Sequence, residues 1–158
     1  MLKRAGVMFT LLLVGCSSGG TGNGGKSDAA ADASWLTGGA AASCVEQFSV
    51  ENLAGSSWAF DGTIAEVVPP KDLESDKPED IQTTVTFDVS HWYTGASGQT
   101  VTLKTYNTPG TVGQEGGPDP SIGARLLVSG EDVYIWGCGF TKPYTEDNAK
   151  LFERAFEG

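Results

Sequence analysis

The segment Thr83 to Trp92 constrains the fold of this chain more than any other. Val85, Phe87 and Val89 fall on one side, and Thr84, Thr86, Asp88 and Ser90 on the other. A period of two residues places successive side chains on opposite faces, which suits a β-strand with one buried face. The chain is therefore committed to a sheet whose apolar face must be covered.

Neighbouring segments supply partners for that strand. Trp58 to Val68 holds Trp58, Phe60, Ile64, Val67 and Val68, and Pro69-Pro70 ends it. Gly62 inside it predicts a bulge or bend. Tyr93 to Gly98 forms a turn, after which Thr100 to Tyr106 alternates again, with Val101 and Leu103 inward and Thr102, Lys104 and Tyr106 outward. Thr108 to Ser121 is a Gly/Pro loop. Ile122 to Val128 and Val133 to Trp136 form a hairpin around Ser129 to Asp132. The period then changes. Thr145 suits an N-cap, Glu146 and Asp147 the first helical turn, Lys150 and Arg154 the later ones, and Ala149, Phe152, Ala155 and Phe156 share a face. Five strands and one packing helix predict a mainly β fold, a small barrel that leaves no sheet edge.

The first 43 residues belong to a different regime. Lys3 and Arg4 precede the apolar run Ala5 to Val14, which is too short to span a bilayer. Leu13-Val14-Gly15-Cys16 resembles a bacterial lipobox. The resemblance implies cleavage after Gly15 and a diacylglyceryl group on the Cys16 thiol, with residues 1–15 as signal peptide. Each buried methylene contributes about 0.8 kcal/mol, so two acyl chains anchor stably. The rival reading is an ordinary secretory signal with Cys16 incidental. Residues 16–43, rich in Gly, Ser and Ala, form a disordered linker with little apolar surface to offset ordering entropy. As a random coil, the ~27 residues from Ser17 to Ser43 span on the order of 30 Å. Trp35-Leu36 is an isolated apolar pair within it, a minor docking point. The folded domain is expected over 44–158.

With Cys16 assigned to lipid, Cys44 and Cys138 remain. An exported chain meets oxidising conditions, so a disulfide is the default. A metal site is the rival, although these cysteines and the single His91 give at most three soft ligands. A bridge would close a loop of roughly 95 residues, for which chain entropy gives about 4–5 kcal/mol. Removing Lys3 and Arg4 with the leader takes the formal charge from −10 to −12. Such a surface repels phosphate and disfavours nucleic-acid binding.

Four stretches resemble the bacterial relatives of the tissue-inhibitor-of-metalloproteinase fold, an NTR-like, OB-type five-stranded barrel. They are Phe60 to Ile64; Val85 to Val89 with Trp92 to Gly95; Gly123 to Val128; and Cys138 to Pro143 before a helix. The resemblance implies an OB-like barrel. Two departures limit it. Pro118 to Ile122 lacks the cysteine many relatives place there, and Cys44 has a linker in front of it. Zinc chelation through the amine of an N-terminal cysteine, the inhibitory device of the animal proteins, is therefore blocked without a further cleavage.

No nucleophile or acid–base constellation is legible, and neither enzyme activity nor a cofactor is expected. His91 suits a strand end beside a turn rather than a general base. Asp72, Glu74, Asp76, Glu79 and Asp80 form a solvated loop whose spacing departs from an EF-hand. Gly113 to Gly117 lacks the lysine of a phosphate loop. It remains a candidate contact through Glu115. Trp92, Tyr93 and Trp136 suit core or turn packing, and the bulk of Trp92 and Tyr93 could otherwise anchor a partner. Tyr106 stands on the outer face of the second and third strands, where a single aromatic is too few for stacking bases. The expected protein is a lipid-anchored binding module, in the cell membrane or outer membrane and facing out of the cytoplasm. Its expected partners are the bilayer, through acylated Cys16, and an unknown envelope or extracellular protein, with no nucleic acid. The alternatives are an envelope accessory protein without a dedicated ligand and a loop-mediated protease inhibitor.

Overall fold

A computed structural model describes residues 32–37, 46–109 and 121–157. Its elements are α1 (Ser34–Thr37), α2 (Val50–Leu53), β1 (Trp58–Val68), β2 (Thr83–Thr94), β3 (Thr100–Thr105), β4 (Arg125–Glu131), β5 (Tyr134–Ile135), β6 (Lys142–Pro143) and α3 (Glu146–Phe156). Strands pair in the order β1-β2-β3-β5-β4, and β4 returns to β1, closing a five-stranded OB-like barrel. The β3–β5 pairing is parallel and the others are antiparallel. β6 adds to the far side of β4 through Leu126↔Pro143 and Leu127↔Lys142.

Two apolar layers hold this arrangement. Phe60, Ile64, Val85, Phe87, Leu103, Leu126, Val128 and Ile135 fill the barrel. Ala59 and Leu127, on the outer face of β1 and β4, pack with Leu53 of α2, Phe140, and Ala149 and Phe152 of α3. β1 and β4 are thus covered on both faces at one end, which is why Leu126-Leu127-Val128 is a continuous apolar run rather than an alternating one.

Gly62 marks a register shift between β1 and β2, as its position predicted. A Cβ there would press on the Phe60 ring and the Asp88 carbonyl. The helix also follows its sequence. Thr145 caps α3 by accepting the Asn148 N–H at 3.1 Å, while Ala149 and Phe152 are buried.

Several expectations are corrected. β4 starts at Arg125, because Ser121 to Gly123 form a turn in which Gly123 takes φ +89°. The following hairpin is tighter than expected. Gly130↔Ile135 and Glu131↔Tyr134 still pair, leaving Asp132 and Val133 as the loop. The Trp58 indole covers Gly130 and donates its Nε1–H to the Asp132 carbonyl at 2.9 Å, which extends the strand through that glycine. α2, capped by Ser49 through the Asn52 N–H at 3.1 Å, and the short β6 have no counterpart in the sequence reading. The docking of Trp35-Leu36 is also more than minor. Leu36 is fully buried and Ala33 nearly so, and both belong to the barrel core. Their spacing of three residues puts them on one side of a single helical turn, seated beside Ala124 to Leu126 and Pro143.

Among the described residues, no helix is long and apolar enough to cross a membrane.

Candidate ligand-binding face

The outer surface of β2, β3 and β5 is built by register. Val68 pairs with Thr84, Thr84 with Lys104, and Lys104 with Tyr134, so one row crosses four strands. Thr86 and Thr102 form the next pair, their hydroxyls 3.2 Å apart. Tyr106 follows Lys104 by two residues just beyond the end of β3, and pleating returns it to the same face.

Parallel closure of the barrel then brings two tyrosines together. The Tyr106 and Tyr134 rings stack at 5.8 Å between centroids with 8° between planes. Tyr106 is 56% exposed and Tyr134 36%. Gln82, only 6% exposed, sits behind them. Its Nε2 donates to the Tyr106 hydroxyl at 2.9 Å and to the Tyr134 hydroxyl at 3.1 Å. Its buried Oε1 has no hydrogen-bond partner, and neither does the buried Thr83 hydroxyl next to it in sequence. Each tyrosine hydroxyl, having accepted from Gln82, keeps its own proton to donate.

Tyr106 therefore stands on the expected face, and Tyr134 is the second aromatic there that sequence reasoning missed. The other candidates lie elsewhere. Trp92 is near the opposite end of β2, its ring 5.0 Å from Phe60 and its Nε1–H donated to the Gly98 carbonyl at 2.8 Å. It clamps the β2–β3 turn onto the core. Tyr93 points the other way, under α3, with ring centroids 5.5 Å from Phe152 and 6.3 Å from Phe156. Burial, helped by the negative charges of Asp61 and Glu153, pushes its hydroxyl pKa up to about 12. Both residues serve packing rather than a shared site. Glu115, Cys16 and Cys44 lie outside the described residues. Cys138 is half-buried beyond β5, in a left-handed conformation at φ +57°.

A second polar cluster was not foreseen. Asp61, 4% exposed on the outer face of β1, receives a two-point contact from Arg125 of β4. The Arg125 Nε lies 2.9 Å from Oδ1 and Nη2 lies 2.5 Å from Oδ2. The guanidinium stacks on Tyr144 at 3.6 Å from the ring centroid. Hydrogen bonding to Asp61 raises the Arg125 pKa further above its ordinary value. The available signal was a lone acid inside the apolar run Trp58 to Ile64. With each carboxylate oxygen bonded to Arg125, this cluster holds β1 to β4.

His91 is exposed and sits edge-on to Tyr93 at 4.8 Å. In the acidic loop, Asp72 accepts the Glu74 N–H at 2.9 Å and Asp80 the Ser75 hydroxyl at 3.1 Å, so these carboxylates shape turns. Among the described residues, no three His, Cys, Asp or Glu are grouped to hold a metal ion.

No family model matches the chain, and no curated protein matches it in sequence.

Proposed function

We propose that this chain is a membrane-anchored lipoprotein exposed outside the cytoplasm, and that its OB-like barrel is a binding module working through the β2–β3–β5 face. The observation that carries the reading is the Tyr106–Tyr134 pair, exposed at the surface yet fixed from beneath by buried Gln82. Exposed aromatics held in one geometry lose little entropy when a ligand covers them.

The anchor rests on Lys3-Arg4, the short apolar run and Leu13-Val14-Gly15-Cys16. Export in turn supports a Cys44–Cys138 disulfide. The OB-like strand order supports the resemblance to the inhibitor fold, but fold alone does not assign inhibition.

The test places a photoreactive residue at position 102, on the face, and separately at position 150, on the outside of α3, in intact cells. The proposal expects a discrete adduct from position 102 that position 150 does not give. The same diffuse background from both positions would favour an accessory protein without a dedicated ligand. A Cys16→Ser protein should leave the membrane fraction; full retention there would end the lipid-anchor reading.

A further inference from the structure

We infer that the Tyr106–Tyr134 face binds a neutral glycan chain, an inference that rests on the binding-module reading and names its ligand.

Gln82 is buried beneath the two rings. A buried amide whose oxygen lacks a partner lowers stability. Its two donated bonds go to hydroxyls on exposed residues, which water could serve equally well. The arrangement thus adds little to the fold. What it does is hold two stacked surface rings from beneath through their hydroxyls. Groups held this way before a ligand arrives are the mark of a preorganised contact.

The surroundings select the ligand. The middle of the face is Thr84, Thr86, Thr102 and Lys104, with Val68 at one end of the first row and the tyrosines at the other. Exposed Glu66 lies beside Thr86, Asp88 beside Thr100 and Glu131 beside Tyr134, and their carboxylates supply acceptors for sugar hydroxyls. A protein interface has the reverse anatomy, an apolar centre inside a polar rim. A formal charge of −10 disfavours phosphate polymers and other polyanions. A neutral sugar chain meets each remaining feature. Its C–H faces lie against tyrosine rings, and its hydroxyls both donate and accept, as do those of threonine and tyrosine. Lys104 adds donors alone. Repetition along the glycan matches an open strand face rather than a closed pocket.

The test titrates the mature lipidated protein in detergent with two probes, a β1,4-linked N-acetylglucosamine hexamer and a β1,4-linked glucose hexamer, followed by calorimetry. Polyglutamate serves as the charged control. At least one hexamer is expected to bind saturably, and polyglutamate is expected not to bind. Tyr106→Ala and Tyr134→Ala should each weaken binding about tenfold. Gln82→Met keeps the side-chain length and removes the donor. It should weaken binding while leaving the thermal midpoint unchanged or raised, a separation that a purely structural glutamine would not give. The inference is overturned if neither hexamer binds, or if both tyrosine variants bind as the parent does. Failure of the hexamers with the position-102 adduct intact would remove the glycan and leave the binding face standing.

Discussion

At the scale of single residues, burial decides which polar groups matter to the fold. Asp61 is hidden from water, whereas the Arg125 side chain is 46% exposed. Removing one partner therefore has unequal consequences. Arg125→Ala strands a buried carboxylate and should cost about 2–4 kcal/mol, while Asp61→Ala leaves a guanidinium that can rotate into water and should cost roughly half as much. Urea unfolding of the two variants measures the difference; equal losses would mean that Asp61 is hydrated in solution. Tyr93 gives a pH signature. Its pKa rises from 10.0 unfolded to about 12 folded, so the native state holds its proton more tightly. This contribution to stability is complete below pH 10 and is lost as pH rises toward 12. Tyrosinate absorbance should show one late-titrating group, which Tyr93→Phe removes.

At the scale of elements, local pattern and long-range closure part company. β1 runs from Trp58 to Val68 as its composition indicates, and β2 and β3 keep their alternation because each has one face on the core. α3 was legible from its cap and its apolar face. The Tyr106–Tyr134 pair was not, because its members meet only through the parallel β3–β5 contact, and neither neighbourhood in sequence contains the other. Gln82 was silent for the same reason, lying 52 positions from Tyr134. β6 and α1 are too short to show periodicity. Cap replacement gives a direct check at this scale. Thr145→Ala should destabilise the domain by about 1 kcal/mol, and Thr145→Ser should restore most of it. Thermal unfolding that leaves Thr145→Ala unchanged would argue that the α2–α3 layer is held without the cap.

At the scale of the whole molecule, the short turn around Leu36 ties the N-terminal segment to the barrel core. Fewer residues separate Cys16 from the folded body than a linker running to residue 43 would provide. Leu36→Ala should cost about 2–5 kcal/mol, as expected for a core leucine and not for a linker residue. Urea unfolding distinguishes the two. The proposed molecule is then an acylated cysteine, a segment seated on the barrel, and a face of threonines and paired tyrosines turned to the envelope.

Occupancy of that face in cells is the most direct test. A tyrosine-modifying reagent applied to intact cells and to purified protein, with the labelled sites read by mass spectrometry, compares Tyr106 and Tyr134 with half-buried Tyr144 in the same molecules. Tyr106 and Tyr134 are expected to be protected in cells and reactive when purified, while Tyr144 labels alike in both. Equal labelling of Tyr106 and Tyr134 in the two settings would contradict binding at this face.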